Sequence, residues 1–98
     1  MSALEVEPLP SYMRDIKRLL RRHVDITKLN TVVNLIAENT AASIKTLEQH
    51  HNMHVLKGSW KGHRECHVCN AGDCLLIWTV DSGVAYLERT GTHDELFR

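Results

Sequence analysis

The sequence lacks net charge, long apolar runs and an even set of cysteines. Its 12 Lys and Arg residues balance 12 Asp and Glu, so it carries no net charge. That balance argues against a generically basic nucleic-acid binder and against an acidic mimic of nucleic acid. No stretch approaches the ~20 consecutive apolar residues of a membrane span. The opening Met1-Ser2-Ala3-Leu4-Glu5-Val6-Glu7 is acidic and unlike a secretory signal. Only three cysteines occur, Cys66, Cys69 and Cys74, all within nine residues. An odd, clustered set is a poor disulfide framework and suits a reducing cytoplasm. Internal repeats, linkers and low-complexity tracts are missing too, and 98 residues make one domain, 1–98, with a single modest core. What the chain has in excess is histidine: seven, with His50, His51, His54, His63 and His67 inside 18 positions. With a pKa near ~6.5, imidazole exchanges protons close to neutral pH and also ligates metals.

The first half patterns as helix and the second as strand. Leu4 to Leu9 has the length of a short strand, ended by Pro8 and Pro10. Ser11 is the expected N-cap of a helix of about twelve residues with Tyr12, Ile16, Leu19 and Leu20 on one stripe. Asp25 or Thr27 caps a second, whose Leu29, Val32, Val33 and Ile36 repeat at i, i+3, i+4, i+7. Residues 40–54 read as at most one more helical turn and a His-rich loop. From residue 61 the period becomes two: His63, Glu65 and His67 alternate with Arg64, Cys66 and Val68. Leu75-Leu76-Ile77-Trp78 is apolar on both parities, as in a strand covered on both faces. Asp81-Ser82-Gly83 is a hairpin connection to a returning strand over 84–90, and a turn follows from His93 to Phe97. The expected fold is α+β, with two N-terminal helices packed on a largely antiparallel sheet that ends in a three-strand meander.

Charge is uneven along the chain. From Arg14 to Lys28 six Lys and Arg face two Asp, a local +4. Such a run is a solvated helix face or a contact for phosphate or an acidic partner. Lys57, Lys61 and Arg64 form a smaller group among the imidazoles, beside Trp60.

Two chemistries compete for the His/Cys cluster. His51-x-x-His54 and Cys66-x-x-Cys69 stand close to zinc-ligand spacing, with Cys74 as a further donor. Strand alternation, however, turns Cys66 and Cys69 to opposite faces. The other chemistry is metal-free acid–base cleavage of RNA. There a 2′-hydroxyl attacks its own phosphate, imidazoles move the protons and cations stabilise the crowded phosphate.

Three separated motifs decide between them. His54-Val55-Leu56-Lys57-Gly58-Ser59-Trp60-Lys61-Gly62-His63-Arg64-Glu65-Cys66-His67, then Asp73-Cys74-Leu75-Leu76-Ile77-Trp78, then Arg89-Thr90-Gly91-Thr92-His93-Asp94-Glu95-Leu96-Phe97 resemble a YafQ-type toxin of the RelE/ParE superfamily. The resemblance implies a RelE-like fold and a toxin of a type II toxin–antitoxin pair. It implies cleavage of mRNA in the 30S A site of the ribosome, without metal or cofactor, and neutralisation by a cognate antitoxin. By motif, His54, His67, Asp73 and His93 are the catalytic candidates. Lys61 and Arg89 are candidate phosphate stabilisers, and Phe97 and Trp60 offer faces for a displaced base. His23, His50, His51 and His63 match no motif and are expected on the surface.

One stretch departs from the family pattern. Here His67-Val68-Cys69-Asn70-Ala71-Gly72-Asp73-Cys74 stands where the family commonly has His-x-x-Pro-Asp-Trp, so two residues are added and Cys74 replaces a tryptophan. The alternatives to the nuclease are a gyrase-poisoning toxin on the same fold, which needs no trio of motif histidines, and a zinc-binding interaction module.

Overall fold

The structure, a computed structural model, describes residues 2–68 and 73–97. The elements run β1 (Glu5–Pro8), α1 (Pro10–Arg21), α2 (Thr27–Glu38), α3 (Ala41–His50) and β2 (His54–Val55). A 3-10 turn (Gly58–Trp60) leads to β3 (Arg64–His67), β4 (Leu75–Asp81), β5 (Val84–Gly91) and α4 (His93–Phe97). The strands form one sheet in the order β1-β5-β4-β3-β2, with only the β1–β5 pairing parallel. The α+β arrangement and the β3-β4-β5 meander are those expected.

The helix starts differ from expectation in their chemistry. Pro10 is the first residue of α1, where its fixed φ suits a helix start and its missing N–H costs nothing. Ser11 is therefore inside the helix, and its hydroxyl donates to the Glu88 carbonyl at 2.7 Å. At α2 the N-cap is Ile26, neither Asp25 nor Thr27; Asp25 lies one residue before it, and its Oδ1 accepts from the Thr27 amide at 2.9 Å. Beyond the expected single turn, α3 is a ten-residue helix closed by a Thr40–Ser43 capping box. Its apolar stripe is narrow, because one of its two buried positions is Ser43 rather than a hydrophobe.

The sheet's two faces bury different amounts. On the helix side Cys66, Leu76, Trp78, Ala85 and Leu87 meet Tyr12, Leu29, Val32, Ile36 and Leu47. Each such side chain removed from water contributes roughly 1.5–3 kcal/mol. On the other side a smaller cluster holds Leu75, Ile77 and Leu96, with Leu56, Trp60 and Phe97 packed against it. Coverage from both sides explains the unbroken apolar run of β4. The centre of this second face, Leu75 and Ile77, is buried; its edges, where the exposed His54 and the half-buried His67 and Phe97 stand, are the open part.

Burial also fixes the character of Cys66. It is fully enclosed among the helix-side residues, and that burial pushes its thiol up to about 12. A thiol with so little thiolate at pH 8 is inert. Native Cys66 is expected to stay unmodified by iodoacetamide at pH 8 and to react once the chain is unfolded, as peptide mass mapping will show.

The parallel strand β1 stops short, and α1 finishes its work along the β5 edge. Leu9 N–H donates to the Leu87 carbonyl at 2.9 Å, the last backbone link. Beyond it, side chains of α1 serve the edge: Ser11 at Glu88, and Asp15 Oδ2 accepting the Thr90 amide at 3.0 Å. A β-bulge lies opposite, where the register steps from Ile77↔Arg89 to Trp78↔Leu87 and skips Glu88. Without it, alternation from Leu87 would turn Arg89 towards the helices. With it, Arg89 shares the open face with Ile77.

Candidate active site

Strand register lays out the open face in two rows. His54 pairs with Glu65, Glu65 with Ile77, and Ile77 with Arg89. One step along, His67 pairs with Leu75 and Leu75 with Gly91. Directly paired residues in an antiparallel sheet point to one side, so His54, Glu65 and His67 share this face. Gly91 leads through Thr92 into α4, whose first residue is His93. With strands ~4.8 Å apart, His67 and Gly91 lie ~10 Å from each other across the Leu75 floor. His54 and His67 thus stand on the side of the sheet that holds the buried Leu75–Ile77 cluster, and His93 opens the helix whose Leu96 packs on that cluster.

Each histidine is held differently. His54 Nδ1 lies 2.8 Å from the Asn52 carbonyl. A carbonyl only accepts, so Nδ1 is the donor in that contact. His54 Nε2 is 3.4 Å from Glu65 Oε1. His67 stands at the end of β3, pinned by a neighbour: its amide donates to the His51 carbonyl at 2.7 Å, and His51 Nδ1 donates back to the His67 carbonyl at 2.8 Å. His93 opens α4, and its amide donates to Asp73 Oδ2 at 3.0 Å. Asp73 therefore fixes the start of α4 through the backbone, while the His93 ring lies against Phe97 with centroids 4.8 Å apart.

The aromatic candidates form a connected run. Trp60 meets Phe97 edge-on at 6.2 Å and His63 at 5.1 Å. His63 in turn pairs through Nε2 with Glu88, the residue skipped by the bulge, and Glu88 also accepts from Thr79 Oγ1 at 3.2 Å. Phe97 is half-buried and caps the Leu75–Ile77–Leu96 cluster, so one face of it packs and the rest meets solvent. Lys61 closes the 3-10 turn beside Trp60 and is exposed. Of the histidines expected on the surface, His23 and His50 are exposed; His51 and His63 are half-buried and hydrogen-bonded. Their engagement depends on backbone carbonyls 3 and 16 residues away, which no local pattern reports.

Two carboxylates of consequence escape motif reading. Glu65 has a side chain only 8% exposed, and its Oε2 has no hydrogen-bond partner among the described residues. A buried carboxylate aimed at an imidazole is a signal of chemistry rather than of packing. Asp15, on α1, is 2% exposed and collects Arg89 Nε at 2.7 Å, Arg89 Nη2 at 3.2 Å, Arg18 Nη1 at 3.0 Å and the Thr90 amide. Burial pushes the Asp15 carboxyl up, but the hydrogen bonds from Arg89, Thr90 and Arg18 outweigh it and hold the group below its ordinary value. Arg89 is thus oriented by a residue 74 positions away. Glu95 ties the same network to α4, since Arg18 Nε is 2.7 Å and Arg22 Nη1 3.4 Å from its Oε2. Its carboxyl is held low, first by the Thr92 amide.

Cys66 faces the helices, and Cys69 lies outside the described residues. Among the described residues no group of three His, Cys, Asp or Glu side chains converges as metal ligands. Nor is any described helix long and apolar enough to cross a membrane.

This layout agrees with known proteins over nearly the whole chain. A family model described as a bacterial toxin of a type II toxin–antitoxin system, YafQ, matches residues 4–98. The mRNA interferase toxin YafQ of Escherichia coli strain K12 is 37% identical over 93 residues, 95% of each chain. The crystal structure of YafQ from E. coli strain BL21(DE3) superposes with a TM-score of 0.83 at 33% identity, covering 97% of this chain and 99% of its own. A chain of the E. coli DinJ–YafQ toxin–antitoxin complex does so with a TM-score of 0.81 at 35% identity, covering 98% and 99%. Sequence and fold agree end to end, and the chain belongs to the YafQ family of bacterial type II toxin–antitoxin toxins, with their RelE-like fold.

Proposed function

We propose that this protein is a cytoplasmic, ribosome-dependent mRNA endonuclease, neutralised by a cognate antitoxin, that cuts RNA by acid–base chemistry. The observation that supports it most is the placement of His54 and His67 on one face of the sheet, beside the helix that His93 opens. Relatives named mRNA interferases, and one solved with its antitoxin DinJ, point the same way.

The reaction assigned to this face is a transesterification. His54 Nε2 takes the proton of a 2′-hydroxyl, and the resulting imidazolium is stabilised by the Glu65 carboxylate beside it. The 2′-oxygen forms a bond to the adjacent phosphorus as the bond to the 5′-oxygen breaks. His67 or His93, across the floor, gives that leaving oxygen its proton. The products are a 2′,3′-cyclic phosphate and a 5′-hydroxyl. Asp73 keeps His93 in place, and Lys61 and the oriented guanidinium of Arg89 supply positive charge to the phosphate. Trp60 and Phe97 give an unstacked base an aromatic face.

The test is induction without antitoxin and mapping of mRNA ends, in a translating lysate and on naked mRNA. New 5′-hydroxyl ends inside coding regions, dependent on ribosomes, are expected. Growth arrest without such ends contradicts the reading and favours the gyrase-poisoning class. Glu65→Gln keeps the shape and removes the charge facing His54. It is expected to slow single-turnover cleavage roughly fivefold, about 1 kcal/mol for one partly screened charge pair. A rate equal to wild type refutes the pairing.

A further inference from the structure

We propose that the cleft between α1 and β5 is a dock for the phosphodiester backbone of messenger RNA beside the cleavage face; the proposal rests on the endonuclease reading above. The cleft holds about 440 Å³ and is floored by the Asp15–Arg89 pair. Arg14, Lys17 and Arg21 stand along its α1 rim, all exposed. Their spacing of i, i+3 and i+7 puts them on one side of the helix over ~10 Å.

The charges there have unequal tasks. Arg18 and Arg89 point inward onto Asp15, and Arg18 and Arg22 reach Glu95. They fix the floor and join α1 to α4. Arg14, Lys17 and Arg21 remain for a partner. Counting Arg18, Arg22 and Arg89 with these three against Asp15 and Glu95, the patch carries net +4 in a chain whose total is zero. The remainder of the chain is therefore net negative, and this patch favours the approach of a polyanion.

Position favours RNA over an acidic polypeptide. Near the cleavage face the carboxylates Glu65 and Asp73 sit beside the histidines, and the exposed lysines there are Lys57 and Lys61, which flank the 3-10 turn. A strand whose scissile phosphate lies there needs its neighbouring phosphates held elsewhere. The dock adjoins that face, because Arg89 belongs to the His54–Glu65–Ile77 row and the Arg18–Glu95 pair meets the helix that starts with His93. Most of its cations are arginine, whose planar fork matches two phosphate oxygens.

The test replaces Arg14, Lys17 and Arg21 together with Gln. Binding is measured over a salt series to a single-stranded mRNA fragment blocked by 2′-O-methyl groups, to vacant ribosomes and to the cognate antitoxin. Three lost phosphate contacts are expected to reduce the salt slope by ~2 and affinity about a hundredfold near 0.1 M salt. Loss on the free fragment is the expected result, and loss on ribosomes alone gives the cleft to ribosomal RNA and overturns the proposal. Unchanged affinity for both overturns the proposal. So does loss of antitoxin affinity alone, which gives the cleft to an acidic protein segment. The His93→Ala variant, assayed for cleavage in parallel, reports failure of the endonuclease reading independently of the dock.

Discussion

His93→Ala is expected to lower mRNA cleavage by ~10²–10⁴, the range contributed by one positioned proton-transfer group, and to leave the chain folded. His93 is exposed at the first residue of α4, where its ring rests on Phe97 and buries little. Its loss removes no core contact, so stability should move by less than ~0.5 kcal/mol, as for surface positions generally. The two readouts must therefore separate: a large rate loss in single-turnover cleavage against a melting curve that hardly shifts. Equal cleavage by His93→Ala and wild type would remove His93 from the chemistry. His67→Ala is expected to act alike, although its anchoring to His51 makes a modest stability cost part of its signature.

The second large effect concerns stability. Asp15→Ala leaves Arg89 and Arg18 partly buried without their shared carboxylate and the Thr90 amide without an acceptor. Breaking a buried pair by deleting one partner costs ~3–5 kcal/mol. In a chain of this size that lowers Tm by roughly 12 °C or more. Asp15→Asn keeps the volume and an acceptor oxygen, so its loss should be smaller. The pH dependence has a definite sign. The carboxyl of Asp15 is held below its ordinary 3.8 in the folded chain, so its contribution is full above that value. It disappears as pH falls from about 4 through the lower folded-state value. Urea midpoints measured from pH 6 downwards should drop below pH 4 in wild type, and less steeply in Asp15→Asn. Identical acid limbs would show that Asp15 does not carry this term.

Much of this was legible in the sequence, for reasons that can be named. Period-two alternation from His63 to Val68 put Glu65 and His67 on one side. The double-parity run Leu75–Trp78 announced a strand with both faces covered. Three motifs carried the family and selected His54, His67 and His93 from seven histidines. What stayed hidden depends on long-range pairing. Asp15 is one acid in a basic helix until Thr90 and Arg89 are seen to lean on it from 74 and 75 positions away. Glu65 looks like an ordinary exposed position of a half-buried strand until Ile77 and Leu56 close over that face. The helix over 41–50 hid because its buried stripe is half serine. The bulge that turns Arg89 to the open face has no local signature.

The measurement nearest the central claim is single-turnover cleavage of an mRNA codon seated in the ribosomal A site, with and without a 2′-deoxy sugar on the nucleotide 5′ of the scissile bond. Acid–base cleavage by an internal 2′-hydroxyl requires that oxygen. The ribose substrate should yield a 2′,3′-cyclic phosphate and a 5′-hydroxyl with excess chelator present, and the 2′-deoxy substrate should stay intact. Cleavage of the 2′-deoxy substrate, or its dependence on an added metal ion, would contradict the account.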